Sequence, residues 1–234
     1  MAEDFWWKKA GIFYAFARKS HFVKNVHNAF LERIDELHLQ PGTRALDAGC
    51  GDGNITFPLA KRGFDVVAID FGEAVLKRAK IKQDKLQIKN IIFEFADLNN
   101  PLKYPDDSFV LITSLHVIMK IKNYQTALSE FYRVLKPGGY LVISTTSSNE
   151  TFSHWFLRYI KKNGIIKSFW DIRWIIAWGI PYCLLTRRKE RRDEWRWKKE
   201  ELQKHLEDSG FMTLLVQDVP YIHVGCALGV FKKL

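Results

Sequence analysis

Short apolar runs alternate with amphipathic stretches over the first two thirds of the chain. Helical spacing of apolar residues predicts an N-terminal helix at about 20–38 and further helices at 54–62, 72–84 and 123–135. Runs rich in β-branched and aromatic residues predict buried strands at 44–49, 64–70, 91–95, 108–114 and 139–146. Strands that alternate with helices of about ten residues are typical of a parallel sheet covered on both faces.

The alternation stops near residue 150 and resumes near residue 195. A charged helix at 195–210 precedes two strands, 211–219 and 223–231, and the short connection around Pro220 makes those strands antiparallel neighbours. The sequence has no internal repeat and no Gly/Ser-rich linker. We therefore predict an α/β core made of 41–149 and 195–234, an N-terminal helical segment at 1–40 and an insertion at 150–194.

The composition is that of a globular protein. With 234 residues, 47% of them hydrophobic, the chain can form one α/β domain with additions. Cys50, Cys183 and Cys226 form no C-x-x-C pair, so we expect no metal cluster, no disulfide framework and a reducing, cytoplasmic location. The N-terminus lacks an apolar signal segment, and the longest apolar run, 12 residues at 174–185, is shorter than the roughly 20 of a membrane span.

Excess positive charge is concentrated in one segment. The chain carries a formal charge of +10, and residues 150–200, with 13 basic and 6 acidic side chains, contribute +7 of it. Six of the eight tryptophans lie at 155–197. The positive charge is therefore relevant to the binding partner of the insertion, and the core itself is close to neutral.

A glycine-rich turn follows the first predicted strand. In LDAGCGDGN, Gly49, Gly51 and Gly53 alternate between a buried strand and a helix start, where backbone can approach a ligand closely. Dinucleotide, nucleotide and S-adenosylmethionine sites all use such a turn, whereas a P-loop is excluded because no G-K-[ST] follows. Asp70 ends the second strand and is placed for both hydroxyls of a ribose, and Asp97 after the third strand could accept from an adenine amine.

Four blocks in this order, LDAGCGDGN, VVAID, FADL and RVLKPGGYLVIS, closely resemble the motifs of the class I S-adenosylmethionine-dependent methyltransferases. The match covers about 42–144, with a weaker continuation over 195–234. The resemblance implies a Rossmann-like, doubly wound α/β fold with a seven-stranded sheet, a C-terminal antiparallel hairpin, N-terminal helices and a helical insertion. It also implies S-adenosylmethionine as cofactor, S-adenosylhomocysteine as product, and no metal.

The same resemblance assigns cofactor contacts to loops and strand ends. Asp47 would orient the glycine-rich loop or the amino group of the cofactor. The KPGG turn after the third core helix is expected to be structural. The implied contacts are Asp47, Gly49, Cys50, Gly51 and Gly53 at the methionine part, Asp70 at the ribose, Phe71, Asp97 and Leu98 at the adenine, and Ser114 at the sulfonium.

The N-terminal segment resembles the leader helix that covers the cofactor in the small-molecule branch of this family. Tyr14 would then approach the methionine end, and Arg18 could meet its carboxylate. Ordinary packing of an N-terminal helix explains the aromatic residues of this segment almost as well. Both interpretations stay open at this point.

The acceptor side is less informative. The [DN]-P-P-[YF] tetrad of many adenine and amide N-methyltransferases is absent, and the stretch after the fourth strand instead resembles the small-molecule, quinone-biosynthesis-like branch. That branch often has an acid near the position of Met119, from which this chain departs. His116 is the best-placed candidate for a general base. Such a base is needed only if the acceptor group is a hydroxyl, an acidic carbon or a protonated amine. The alternative is a His that lines the pocket or caps a helix.

Three interpretations of the insertion compete. It could roof a large apolar acceptor pocket, lie on a membrane surface through its Trp and basic residues, or, with less support, bind RNA. We predict transfer of a methyl group from S-adenosylmethionine to a small hydrophobic or aromatic acceptor. The alternatives are an RNA methyltransferase that uses the basic insertion, and a non-catalytic cofactor-binding protein. An NAD-dependent oxidoreductase does not account for the order of the four blocks.

Overall fold

The structure is a computed structural model that describes residues 21–147, 157, 160–161, 164–168, 170, 197–221 and 224–234. Seven strands form one sheet with helices on both faces. The elements in chain order are α1 (His21–Asp35), β1 (Arg44–Ala48), α2 (Thr56–Lys61), β2 (Asp65–Asp70), α3 (Glu73–Leu86), β3 (Ile91–Phe95), β4 (Phe109–Leu115), a 3₁₀ turn (Ile118–Lys120), α4 (Tyr124–Val134), β5 (Leu135–Ser147), α5 (Lys199–Asp208), β6 (Phe211–Tyr221) and β7 (Val224–Lys233).

The strand order is β3-β2-β1-β4-β5-β7-β6. The pairs among β1 to β5 are parallel, and β7 runs antiparallel to both β5 and β6. The predicted seven-stranded sheet with a terminal antiparallel hairpin is therefore confirmed. The order reverses between β1 and β4, and ligands of open α/β sheets bind at the carboxyl ends of the strands beside such a reversal.

The strand pairing of the terminal hairpin extends further than predicted. The sequence predicts a turn around Pro220, but β6 and β7 stay paired as far as Tyr221 and Val224. Pro220 instead lies inside β6, opposite Gly225. A proline fits there because β6 is an edge strand, where one side of the backbone needs no partner strand.

Two apolar layers enclose the sheet because successive side chains of a strand point to opposite faces. On one face, α4 and α5 pack through residues such as Phe131 and Leu206. On the other face lie α1, α2 and α3, and Phe30 of α1 is fully buried there. Residues 21–35 of the 1–40 segment predicted as a lid thus form a core helix, and residues 1–20 lie outside the described part of the chain.

The ends of α1 lie at opposite edges of the sheet. At its C-terminal end, both carboxylate oxygens of Asp35 accept hydrogen bonds from Arg62, at 2.6 and 2.7 Å, close to the start of β2. In its N-terminal half, His27 is close enough to His116, which follows β4, to influence its titration. Helix α1 therefore begins at the carboxyl edge of the parallel strands, the same edge as the β1 loop. Within the described residues, no helix is long and apolar enough to cross a membrane.

Candidate functional site

The glycine-rich loop after β1 is fixed to the end of β2. The backbone N–H groups of Gly49 and Cys50 both donate to the carbonyl of Ile69, at 2.8 and 2.9 Å. The N–H of Gly51 donates to Asp70 Oδ2 at 2.9 Å. These contacts hold the loop against the end of β2 and thereby fix its conformation.

Each loop glycine has a positive φ, but the space around them differs. A Cβ atom on Gly49 would lie 2.3 Å from Val117 Cγ2, and one on Gly53 would lie 2.4 Å from Phe57 Cε2. At Gly51, with φ of +54°, no described atom lies within 4 Å of the position a Cβ would take. Packing thus requires Gly49 and Gly53, whereas Gly51 leaves its side of the loop open to a ligand.

Asp70 ends β2 with a carboxylate that is 7% exposed. Its Oδ1 accepts from the N–H of Gly72 at 2.8 Å, and its Oδ2 accepts from Gly51. Burial raises the pKa of Asp70, and backbone donors of Gly72, Gly51 and Phe71 and the charge of Lys120 oppose that rise. A carboxylate offers about four acceptor sites, so the residue both shapes the loop and can accept from a ligand.

Asp47 is almost fully buried at the end of β1. Its Oδ2 accepts from the hydroxyl of Thr56 at 2.6 Å, and its Oδ1 accepts from the hydroxyl of Thr113 at 3.0 Å. Thr56 opens α2 and Thr113 lies in β4, so one carboxylate links three elements around the loop. Burial raises the pKa of Asp47 to about 6. Of the two predicted roles of Asp47, these contacts correspond to orienting the loop.

The ends of β2 and β3 adjoin each other. Ala96 N–H donates to the carbonyl of Asp70 at 3.1 Å, which brings the predicted adenine-side residues to one edge. Phe71 is 38% exposed there and Leu98 is buried. Asp97 Oδ1 accepts from both the backbone and the side-chain nitrogen of Asn99, at 2.9 and 2.8 Å. Asp97 thus also orders its own turn.

The end of β4 bears His116 in a left-handed conformation, with φ of +57°. Its N–H lies within hydrogen-bonding distance of both the carbonyl and the hydroxyl of Ser144 on β5, at 3.2 and 3.1 Å. Its Nε2 lies 3.2 Å from the sulfur of Cys226 on β7. Non-glycine residues enter this backbone region rarely, and they do so preferentially at functional sites and tight turns.

Burial makes both members of this His–Cys contact electrically neutral. It lowers the pKa of His116 to about 3, with His27 and Lys120 adding to the effect. It raises the pKa of the Cys226 thiol to about 12. An imidazole with so low a pKa is a weak proton acceptor near neutral pH, so these contacts favour a lining role for His116 over a general-base role.

The described residues predicted for the site thus lie along one edge of the sheet, at or just after the ends of β1 to β4. They are the glycine-rich loop, Asp47, Asp70, Phe71, Asp97, Leu98, Ser114 and His116. Tyr14 and Arg18 lie outside the described residues. Three residues that sequence reasoning did not single out also lie at this edge: Thr113, Lys120 and Cys226. Only Thr113 had a visible signal, since a polar residue interrupts an otherwise apolar buried strand. In the described part of the chain, no group of three or more His, Cys, Asp or Glu side chains could hold a metal ion.

A glycine-rich loop beside a strand-order reversal, with an acid ending the adjacent strand, defines a Rossmann-like protein that binds a nucleoside cofactor. A family model described as a methyltransferase domain matches residues 39–209. The chain therefore belongs to the class I S-adenosylmethionine-dependent methyltransferases, which confirms the family and the cofactor predicted from its motifs.

Individual relatives agree with this assignment. Demethylmenaquinone methyltransferase from Staphylococcus aureus is 28% identical over 216 residues, which cover 85% of this chain and 82% of that protein. Phosphoethanolamine N-methyltransferase 3 from Arabidopsis thaliana is 35% identical over 150 residues, 63% of this chain but 29% of that protein. The solved structure of a SAM-dependent methyltransferase from Aquifex aeolicus has the same fold, with a TM-score of 0.62 at 21% identity over 88% of this chain and 89% of that chain.

The buried Asp47 carboxyl makes stability depend on pH. Its pKa of about 6 in the folded protein exceeds the ordinary 3.8, so between these values the folded state binds more protons than the unfolded state. The free energy of unfolding should then fall, by on the order of 3 kcal/mol from this group alone, as the pH rises from about 4 to about 6. Asp47→Asn removes this contribution.

As the pH rises from about 4 to about 6, the free energy of unfolding of the unchanged protein should fall by about 3 kcal/mol relative to that of Asp47→Asn. Urea denaturation at several pH values measures it. The exposed Asp65, at the other end of β2, supplies the control, and Asp65→Asn should keep the original pH dependence. An Asp47→Asn variant with an unchanged pH dependence would contradict the assignment.

Proposed function

We propose that the protein transfers the methyl group of S-adenosylmethionine to a small, hydrophobic or aromatic acceptor. The observation that carries the proposal is the uncharged cluster of His116, Ser144 and Cys226, which lies near the carboxyl ends of β4 and β5 and the amino end of the antiparallel strand β7. Neutral imidazole, hydroxyl and thiol groups suit an uncharged, polarisable acceptor, since they offer no fixed charge to pair with an ionic one.

The cofactor end of the same edge fits S-adenosylmethionine. The open side of Gly51 admits a close approach to the loop backbone, and the carboxylate of Asp70 has acceptor capacity beyond its backbone donors. We assign Asp47 and the loop 49–53 to the methionine part and Asp70 to the ribose. Phe71, Asp97 and Leu98 are assigned to the adenine, and Ser114 to the sulfonium side.

When bound, S-adenosylmethionine supplies a methyl group activated by its positive sulfur. The protein then has to hold the acceptor atom in line behind that methyl group, and such positioning can contribute about 7–11 kcal/mol. Helix α1 begins at this edge, and Tyr14 and Arg18 precede it in the sequence. This supports the proposal that Tyr14 and Arg18 cover the methionine end.

A relative that matches this chain over most of both lengths is named for demethylmenaquinone, an aromatic and lipophilic molecule. This supports the apolar acceptor. A phosphorylated amine is the second candidate, favoured by the Arabidopsis relative and by Lys120, whose charge acts on both Asp70 and His116. The cationic Lys120 would suit a phosphate group.

Incubation with methyl-labelled S-adenosylmethionine and a host extract separates these acceptor classes. We expect the label in the fraction that partitions into organic solvent. Label in the phosphorylated-amine, RNA or protein fraction would contradict the proposed acceptor and point to the corresponding alternative. Binding of the cofactor without transfer to any fraction would indicate a non-catalytic protein. The Gly51→Ala variant serves as the control for cofactor dependence.

Gly51 and Gly42 form a matched pair that tests the cofactor site. Both have a positive φ with no described atom within 4 Å of an added Cβ, but Gly42 precedes β1 at the opposite edge of the sheet. Alanine at either position should cost about 1–2 kcal/mol of backbone strain. Only Gly51→Ala should also weaken binding of S-adenosylhomocysteine, at least about tenfold by calorimetry, because its methyl group occupies the ligand side of the loop. Equal affinities for the two variants would refute this placement.

The His116→Asn variant distinguishes lining from base catalysis. Asparagine tolerates the left-handed backbone, so the change removes the imidazole without adding the strain that alanine would bring. A general base contributes about 10²–10⁴-fold to the rate, so a lining residue should cost kcat less than tenfold and mainly raise KM for the acceptor. A loss of kcat beyond a hundredfold, with a changed pH profile, would establish His116 as the base.

A further inference from the structure

The insertion exposes large apolar side chains. Among its described residues, Leu157 is 64% exposed, Ile165 63%, Ile166 79% and Trp170 58%. Single exposed apolar residues are common on protein surfaces, but several in one short segment indicate a contact surface. We call these four residues, together with the exposed Lys161 and Lys167, the insertion surface.

Local contacts hold part of this surface in a defined conformation. Residues 165–168 are helical, and Gly164 N–H donates to the carbonyl of Ile160 at 2.8 Å. Ser168 is fully buried, and its hydroxyl donates to the carbonyl of Gly164 at 2.6 Å. The helix therefore faces inward at Ser168 and outward at Ile165 and Ile166.

The charge of the segment complements an anionic partner. Lys161 and Lys167 lie among the apolar residues, and the described residues from 157 to 170 include no acid. Residues 150–200 carry +7 of the chain's +10. Exposed aliphatic and Trp side chains mixed with lysines are suited to the boundary between lipid headgroups and acyl chains, where each basic residue adds about 1 kcal/mol on an anionic surface.

The chemistry of the surface favours a bilayer over RNA. Proteins bind single-stranded RNA by stacking aromatic rings on bases along a basic groove. Leu157, Ile165 and Ile166 cannot stack on bases, and Trp170 is the one aromatic residue of the surface. Aliphatic side chains instead gain free energy by leaving water for an apolar phase.

We propose that the insertion surface docks on an anionic lipid bilayer, lying at the headgroup boundary. The insertion follows β5, which ends at Ser147 on the edge where the N–H of His116 meets Ser144. Docking would thus hold the membrane beside the acceptor end of the site. The proposal concerns binding alone and stands whether or not the acceptor is lipophilic.

Vesicle co-sedimentation of the full chain tests this proposal without acceptor or turnover. We expect strong binding to vesicles of phosphatidylcholine mixed with phosphatidylglycerol and at least tenfold weaker binding to phosphatidylcholine alone. The double change Ile165→Glu/Ile166→Glu should weaken binding to the mixed vesicles at least tenfold, and Lys161→Glu/Lys167→Glu should weaken it and reduce its salt dependence.

Matched controls come from α3. Ile81 is 47% exposed and Lys77 and Lys80 are exposed, so Ile81→Glu and Lys77→Glu/Lys80→Glu should bind vesicles within twofold of the unchanged protein. All variants should keep their affinity for S-adenosylhomocysteine, which shows that the core is folded. The proposal is overturned if the protein does not bind anionic vesicles, or if the α3 controls lose as much binding as the insertion variants. It is also overturned if an RNA oligonucleotide displaces the protein from vesicles and RNA binding depends on Ile165 and Ile166.

Discussion

The buried carboxylate of Asp47 is the contact on which the site depends. It lies where the strand order reverses, and its two hydroxyl partners belong to α2 and β4. A buried carboxylate is costly unless its lone pairs are satisfied, so Thr56 and Thr113 must stay within reach of it. The start of α2, the end of β1 and the C-terminal half of β4 are thereby fixed relative to one another, and the loop between β1 and α2 has little freedom.

That constraint extends to the next two strands through backbone groups. The carbonyl of Ile69 and the carboxylate of Asp70 together hold the N–H groups of Gly49, Cys50 and Gly51. The carbonyl of Asp70 in turn accepts from Ala96 after β3. Three strand ends are thus joined before any ligand arrives. Such pre-organisation lowers the entropy cost of binding, because the loop does not have to be ordered by the ligand.

Local patterns predicted most of the fold but not every contact of the site. Alternating strands and helices gave the parallel sheet, and the glycines with Asp70 gave the cofactor edge. The contact of His116 with Cys226 joins residues 110 positions apart and depends on the register between β5 and β7, which no local pattern determines. The role of α1 was missed for a related reason, since the spacing of Val26, Phe30 and Ile34 predicts a helix but not the surface on which it packs.

The two ends of this sheet edge differ in electrostatics. At the cofactor end, burial raises the pKa of two carboxylates, and hydroxyl and backbone donors offset part of that rise. At the proposed acceptor end, burial keeps His116 and Cys226 neutral. Under the proposed function, a ligand that carries a positive charge at one end would be oriented with its cation toward the carboxylates. The acceptor would then be recognised by shape, polarisability and the reach of Lys120, and the residues that follow β4 and those near the start of β7 would decide which acceptor fits.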